Sequence, residues 1–391
     1  MDNSLYVISA IGQDKPGLVF SITNSIAELN INIVDVEAKA VRGYFLMFLV
    51  VDISTSDCGY EKMQKTLKPL EELFDLGIHV KPYEAGRRKA DKTLMRLTVM
   101  GADGPGIVAK LTRIFTEHKV NVEKIKMIAR GDYIAIEILT DISDTSEIPM
   151  LRKTLYQFSE NTGLDVSLSD NSSFKKEKKV VIFDCDSTII KEEIIDELAK
   201  AAGADKDVKE ITDRAMNGEL DFKEALLERV KLLKGLSEAQ LITLTKSVHL
   251  TPGADELISS LHSMGYKVGV ISGGFSFFTN YLKEALNLDY VFANELEIKD
   301  GVTTGKINGE IIDAERKGEI VKEIAKMENI STDQIVAVGD GANDRFMLKN
   351  VGLGIAFCPK SILKEYSHGM ITKENISGLR YFMGIPDNTL E

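Results

Sequence analysis

The chain has 391 residues, 44% hydrophobic and 28% charged, with a formal net charge of −12. That length leaves room for two or three cores. The acidic balance argues against a nucleic-acid partner, which would need clustered Lys and Arg to neutralise phosphates. No run of 18 uncharged apolar residues occurs, and the opening "MDNSLYVISAIG" lacks the basic and apolar segments of a leader, so a cytoplasmic protein without a membrane partner is expected. Cys58, Cys185 and Cys358 show no paired spacing, which argues against a disulfide framework and against a zinc site.

The first half of the chain repeats itself. "QDKPGLVFSITNSIAELNINI" is echoed by "ADGPGIVAKLTRIFTEHKVNV", and Asp14, Pro16, Gly17 and Asn32 recur 89 residues later as Asp103, Pro105, Gly106 and Asn121. Each copy reads strand, turn, helix, strand, strand, helix, strand. "LYVISAIG" and "LMRLTVMG" are apolar runs ending at glycine, and Pro-Gly then breaks the strand before a helical pattern. In the first helix, Val19, Ile22, Ile26 and Leu29 recur at three- and four-residue steps, which predicts one apolar stripe against a sheet. "GYFLMFLVVDI" and "DYIAIEILTDI" read as the third strands. The two copies resemble ACT domains, ferredoxin-like βαββαβ modules that often sense amino acids, with expected bounds of 1–85 and 93–169. The resemblance implies an amino-acid effector or a homodimer formed through the modules. In favour of a ligand, a glycine turn before a helix leaves N–H groups that can hold a carboxylate. The polar stretches "EAGRRKADK" at 84–92 and "SDNSSFKKEKK" at 169–179 read as linkers, the second as a hinge.

Beyond it, from 176 to 391, apolar strands alternate with longer helical stretches: "KKVVIFD", "KVGVISGG", "QIVAVGDG" and "GLGIAF". This is the pattern of an α/β, Rossmann-like doubly wound parallel sheet, in which ligands bind beyond the carboxyl ends of the strands. Those ends carry Asp184 and Asp186, Ser272 with Gly273 and Gly274, and Asp340 with Asn343 and Asp344. A carboxylate cluster needs a cation, and Asp184, Asp340 and a backbone carbonyl offer hard oxygen ligands that suit Mg2+. "SGG" offers a hydroxyl and free N–H groups at a helix start as a phosphate cradle, and Lys317 adds positive charge.

These residues, in this order, resemble the haloacid dehalogenase superfamily. "DCDST", "SGG", Lys317 and "GDGAND" match its four ordered motifs. Within it, "DSTIIKEEIIDELA", "ITDRAMNGELDF" and "RVKLLKG" are similar to the branch that acts on phosphoserine. The resemblance implies that Asp184 is the nucleophile, that Asp186 is the general acid and base and lends its carbonyl to the metal, and that Lys317 completes the catalytic set. It places Glu193, Met216, Phe222, Arg229, Ser272, Gly273 and Asn343 around the substrate, the first four in a helical cap at about 192–250. The activity implied is Mg2+-dependent hydrolysis of O-phospho-L-serine, the last step of serine biosynthesis. Transfer of the phosphoryl group to an alcohol, or an amino-acid sensor with an idle phosphatase half, are the alternatives. Cys185, between the two aspartates, reads as an inward-packed residue rather than a redox centre.

Overall fold

A computed structural model of the chain describes residues 4–84, 92–131, 133–171, 177–217, 219–359, 363 and 365–385. The linker expected at 84–92 lies almost wholly outside them. The chain divides into two compact units, Met1–Asp91 and Lys92–Glu391. Among the described residues, no helix is long and apolar enough to cross a membrane.

The first unit runs β1 (Leu5–Gln13), α1 (Leu18–Glu28), β2 (Asn32–Val41), β3 (Tyr44–Asp52), α2 (Tyr60–Phe74) and β4 (Leu76–Pro82). Its antiparallel sheet has the order β2-β3-β1-β4. Gly17 enters α1 with φ +91°, and its repeat partner Gly106 has φ +85°, a left-handed conformation that costs any other L-residue. The α1 stripe is Leu18, Ile22 and Ile26, while Val19, expected in it, is 47% exposed. The Pro-Gly turn starts the helix at Leu18, and steps of four from there carry the buried face to 22 and 26, leaving 19 on the outside. Each side chain of that stripe contributes roughly 1.5–3 kcal/mol when fully buried.

The second unit begins with the other copy: β5 (Leu94–Ala102), α3 (Ile107–Glu117), β6 (Asn121–Ala129), β7 (Tyr133–Asp141), α4 (Ile148–Thr162) and β8 (Asp165–Asp170). There follow β9 (Val180–Phe183), α5 (Ile194–Ala202), α6 (Asp205–Met216), α7 (Phe222–Leu232), α8 (Glu238–Thr245) and α9 (Ala254–Ser263). Then come β10 (Lys267–Phe275), α10 (Ser276–Leu286), β11 (Tyr290–Lys299), β12 (Val302–Asn308), α11 (Ala314–Met327) and β13 (Ile335–Gly339). The unit ends with α12 (Arg345–Lys349), β14 (Leu353–Phe357), β15 (Gly369–Ile371) and α13 (Leu379–Phe382). Strands β11-β10-β9-β13-β14-β15 are parallel, as their apolar runs predict.

The stretch 169–179 is not a hinge in its described part. β8 runs through Ser169 to Asp170, and Ser169, Asn171 and Lys178 are buried. β8 pairs antiparallel with β15, so one sheet of order β12-β11-β10-β9-β13-β14-β15-β8-β5-β7-β6 joins the second ACT-like copy to the doubly wound half. Leu168 N–H donates to the His368 carbonyl at 2.8 Å, and Thr372 donates its N–H and Oγ1–H to Asp165 Oδ1 at 2.8 and 2.6 Å. A Cβ at Gly369 would lie 2.3 Å from Ser167 Cβ, so this contact requires glycine. Met100, Ile128 and Ala135 share a core with Phe183, Ile355 and Tyr381.

His368 sits at this junction, where its Nδ1 accepts the Gly354 N–H at 2.8 Å. Burial, then Arg152 and Lys178, lower its imidazole to about 4. An unfolded histidine takes up its proton near pH 6.5. The stability conferred by the neutral ring is therefore complete above that pH and is lost as pH falls toward 4, by about 3 kcal/mol. Denaturation midpoints at pH 7 and 4.5 should fall further for the wild type than for His368→Gln; equal drops would contradict the assignment.

Candidate active site

The site is built from three strand ends and one helix. β9 is buried along its whole length, and Asp184 N–H donates to the Val338 carbonyl of β13 at 2.8 Å. Asp184 therefore emerges beside the loop that carries Asp340. Helix α11 starts at Asp313, whose carboxylate caps Arg316 N–H at 2.8 Å, and its first turns bring in Lys317. Lys317 is completely buried, with Nζ 2.6 Å from Asp184 Oδ1 and 2.7 Å from Asp344 Oδ1. Gly339 makes room for Asp344, since a Cβ there would lie 2.4 Å from Asp344 Oδ2.

Carboxylate oxygens of Asp184, Asp340 and Asp344 all lie within 4.8 Å of one another, and all three residues are buried. Burial alone would lower the Lys317 pKa, but Asp184 and Asp344 outweigh it and hold the ammonium charged. Asp344 is raised, first by burial and then by Asp184, with Lys317 pulling the other way. Three carboxylates face one ammonium, so the cluster carries surplus negative charge. Its all-oxygen donor set fits a hard divalent cation. Asp344, read in the sequence only as lying at a strand end, is thus a member of the cluster.

Asp186 projects the other way. Its Oδ1 accepts the Ile194 N–H at the start of α5 at 3.1 Å, and its Oδ2 lies 2.9 Å from where a Cβ on Gly274 would be. Burial, then the Glu193 and Asp184 carboxylates, push its pKa well up. Two aspartates two residues apart thereby differ in environment, which is how a proton donor is kept beside an ionised neighbour.

Above these groups stand α5 and α7. Ser187, in a left-handed conformation (φ 54°), donates to Glu193 Oε1 at 2.9 Å. Arg229 is half-buried on α7; burial lowers its pKa, opposed by the nearby Asp196 and Glu193 carboxylates. Phe222, at the start of α7, lies 3.1 Å from where a Cβ on Gly273 would be, so glycine is needed for that approach. Asn343 Nδ2 lies 3.9 Å from the same point. Met216 ends α6, and its side chain lies outside the described residues.

The "SGG" segment differs from expectation. β10 continues through it to Phe275, the helix begins only at Ser276, and the Gly274 N–H donates to Ser272 Oγ at 2.8 Å. That amide is occupied within the loop because the chain turns back on the serine hydroxyl. Two further polar residues carry no signal beyond their position. Asn294 is buried, donates to the Gly273 carbonyl and accepts the Ile312 N–H, both at 2.8 Å, and so fixes the loop. Thr188, inside "DCDST", is buried with no hydroxyl partner among the described residues. Cys185 is buried in the core, and its thiol pKa is pushed up by burial, then by Asp186 and Asp184.

The fold and the site define a haloacid dehalogenase-like hydrolase preceded by ACT domains: residues 178–352 match the model of the first family, and residues 4–81 and 93–169 each match that of the second. A phosphoserine phosphatase of Archaeoglobus fulgidus is 46% identical over 88% of this chain and 98% of its own. Another, from Streptomyces coelicolor, is 33% identical over 98% of this chain and 93% of its own. A solved structure described as a phospho-aspartyl intermediate analogue of phosphoserine phosphatase superposes with TM-score 0.50 at 48% identity, covering 53% of this chain and 99% of that one. The chain belongs to the phosphoserine phosphatase family.

Replacing Lys317 with Met strips the cluster of its only buried ammonium. Breaking a buried pair in this way costs about 3–5 kcal/mol, and saturating divalent cation should restore part of it. A denaturation midpoint unchanged from wild type would show that the ammonium does not hold the carboxylates together.

Proposed function

We propose that this chain hydrolyses O-phospho-L-serine to L-serine and phosphate, with Mg2+ as cofactor. The observation that carries the reading is that Glu193 and Arg229 meet over the Asp184–Asp186 pair. A carboxylate and a guanidinium together match the ammonium and carboxylate of a phosphorylated amino acid, and Arg can hold a carboxylate bidentately. The A. fulgidus and S. coelicolor relatives, both described as phosphoserine phosphatases, support the same substrate.

In the reaction, Asp184 attacks phosphorus while Lys317 fixes its other interactions. The bond from phosphorus to the serine oxygen breaks, and Asp186, kept protonated by its surroundings, donates the proton that makes serine the leaving alcohol. Asp186, now ionised, accepts a proton from water as that water attacks the aspartyl-phosphate. Phosphate leaves, and Asp184 is regenerated. The solved phospho-aspartyl intermediate analogue of a relative supports this order. Mg2+, held by Asp184, Asp340 and the Asp186 carbonyl with Asp344 beside them, would supply the positive charge that lets a carboxylate approach a phosphate dianion. Ser272, Gly273 and Asn343 line the phosphate side, and Phe222 and Met216 the cap side. The ACT domains bind an amino-acid effector, and the protein works as a homodimer in the cytoplasm.

Asp184→Asn should lower turnover by about 10⁴-fold or more and abolish trapping of a phosphorylated enzyme; retained turnover would mean another nucleophile. Arg229→Ala should raise KM for phosphoserine about 10- to 100-fold while leaving a small aryl phosphate nearly unaffected. Equal losses for both substrates would remove Arg229 as the carboxylate clamp.

A further inference from the structure

The two ACT domains share a fold but not an environment, and the difference lies on the sheet face away from the helices. In the second domain Met100, Ala135 and Tyr133 lie against the doubly wound half, Met100 beside Gly378 and the Tyr133 ring 5.9 Å from that of Tyr381. The rest of that face holds the Arg96–Glu137 ion pair. The residues 89 positions earlier are Ile11, Leu46 and Tyr44, with Val7 and Phe48 in place of the ion pair. Ile11, Tyr44, Leu46 and Phe48 are 50%, 55%, 39% and 43% exposed. A contiguous apolar sheet face of this kind marks an interaction site.

The pairing registers give the layout of the face. One row across the sheet reads Asp35, Val50, Val7, Lys81 and the next Glu37, Phe48, Ser9, His79. An apolar centre on β3 and β1 is therefore flanked by acidic side chains on β2 and basic ones on β4. We propose that this face packs against the same face of a second copy of the chain, about a two-fold axis parallel to the strands. That operation lays β2 of one copy over β4 of its partner. Asp35 then meets the Lys81 position and Glu37 the His79 position, each twice, as an isologous interface requires. A two-fold axis across the strands would instead stack β2 on β2 and set the basic β4 edges together. Face-to-face packing keeps the strands aligned within about 30°. Four strands at about 4.8 Å spacing and eight residues at about 3.4 Å give roughly 500 Å² per copy. The total, about 1,000 Å², sits at the threshold for a specific interface, so the dimer is reversible. The inference rests on the homodimer reading above and names its surface.

Sedimentation of the full chain over a dilution series provides the test. The wild type should dimerise with a dissociation constant on the order of micromolar. Asp35→Lys and Lys81→Glu should each weaken it about tenfold or more, and the double variant should recover most of the loss, since both pairs are rebuilt with reversed sign. Phosphatase activity reports folding of every variant. Single variants that dimerise like wild type, or a double variant no better than the singles, would overturn this surface while leaving a dimer through another one. A wild type monomeric at about 100 µM would overturn the dimer itself.

Discussion

The buried ammonium of Lys317, shared between Asp184 and Asp344, is the constraint on which the rest of the site depends. A lysine without any solvent contact is tolerated only where carboxylates repay its desolvation. Here they do so in excess, which leaves the group as a whole short of positive charge. That shortage is the physical reason for a metal and for an anionic substrate. It also explains why Gly339 has no side chain: any Cβ would occupy the place of the Asp344 carboxylate.

Much of this was legible in the sequence because parallel strands buried on both faces are conspicuous apolar runs, and their ends are then marked by the first polar residues. Asp184, Asp186, Ser272 and Asp340 were found in that way. Asp344 was seen at the same end but received no task, since its pairing with Lys317 joins residues 27 apart through a helix that had to be placed first. Asn294 was invisible for a similar reason: a lone Asn inside a strand looks like any other, and only the three-dimensional path shows it bonding Gly273 and Ile312. Val19 was misplaced because periodicity alone does not say where a helix starts.

The larger gap between sequence and structure concerns the second ACT domain. A polar, charged stretch at 169–179 has the composition of a hinge, and composition is what a linker is judged by. Composition does not report edge pairing, however. β8 offers an unpaired row of backbone groups, and β15 is a short strand whose glycine lets β8 approach; together they close both edges. The Asp165 carboxylate then takes two hydrogen bonds from Thr372. The domain whose family senses amino acids is in this way continuous with the sheet that carries the catalytic aspartates.

That continuity bears on how an effector signal would travel. β8 is followed in the sheet by β15, β14 and β13, and β13 leads directly into Asp340. A packed sheet resists gradual deformation, so a ligand on the second ACT domain would act by favouring one of two discrete arrangements of the β8–β15 seam. The first ACT domain has no such seam within its own unit, because β2 and β4 are both sheet edges there. Its share in regulation therefore runs through whatever covers its open face. Duplication of one module has produced two parts with different duties: one built into the catalytic sheet, the other holding an apolar surface for association.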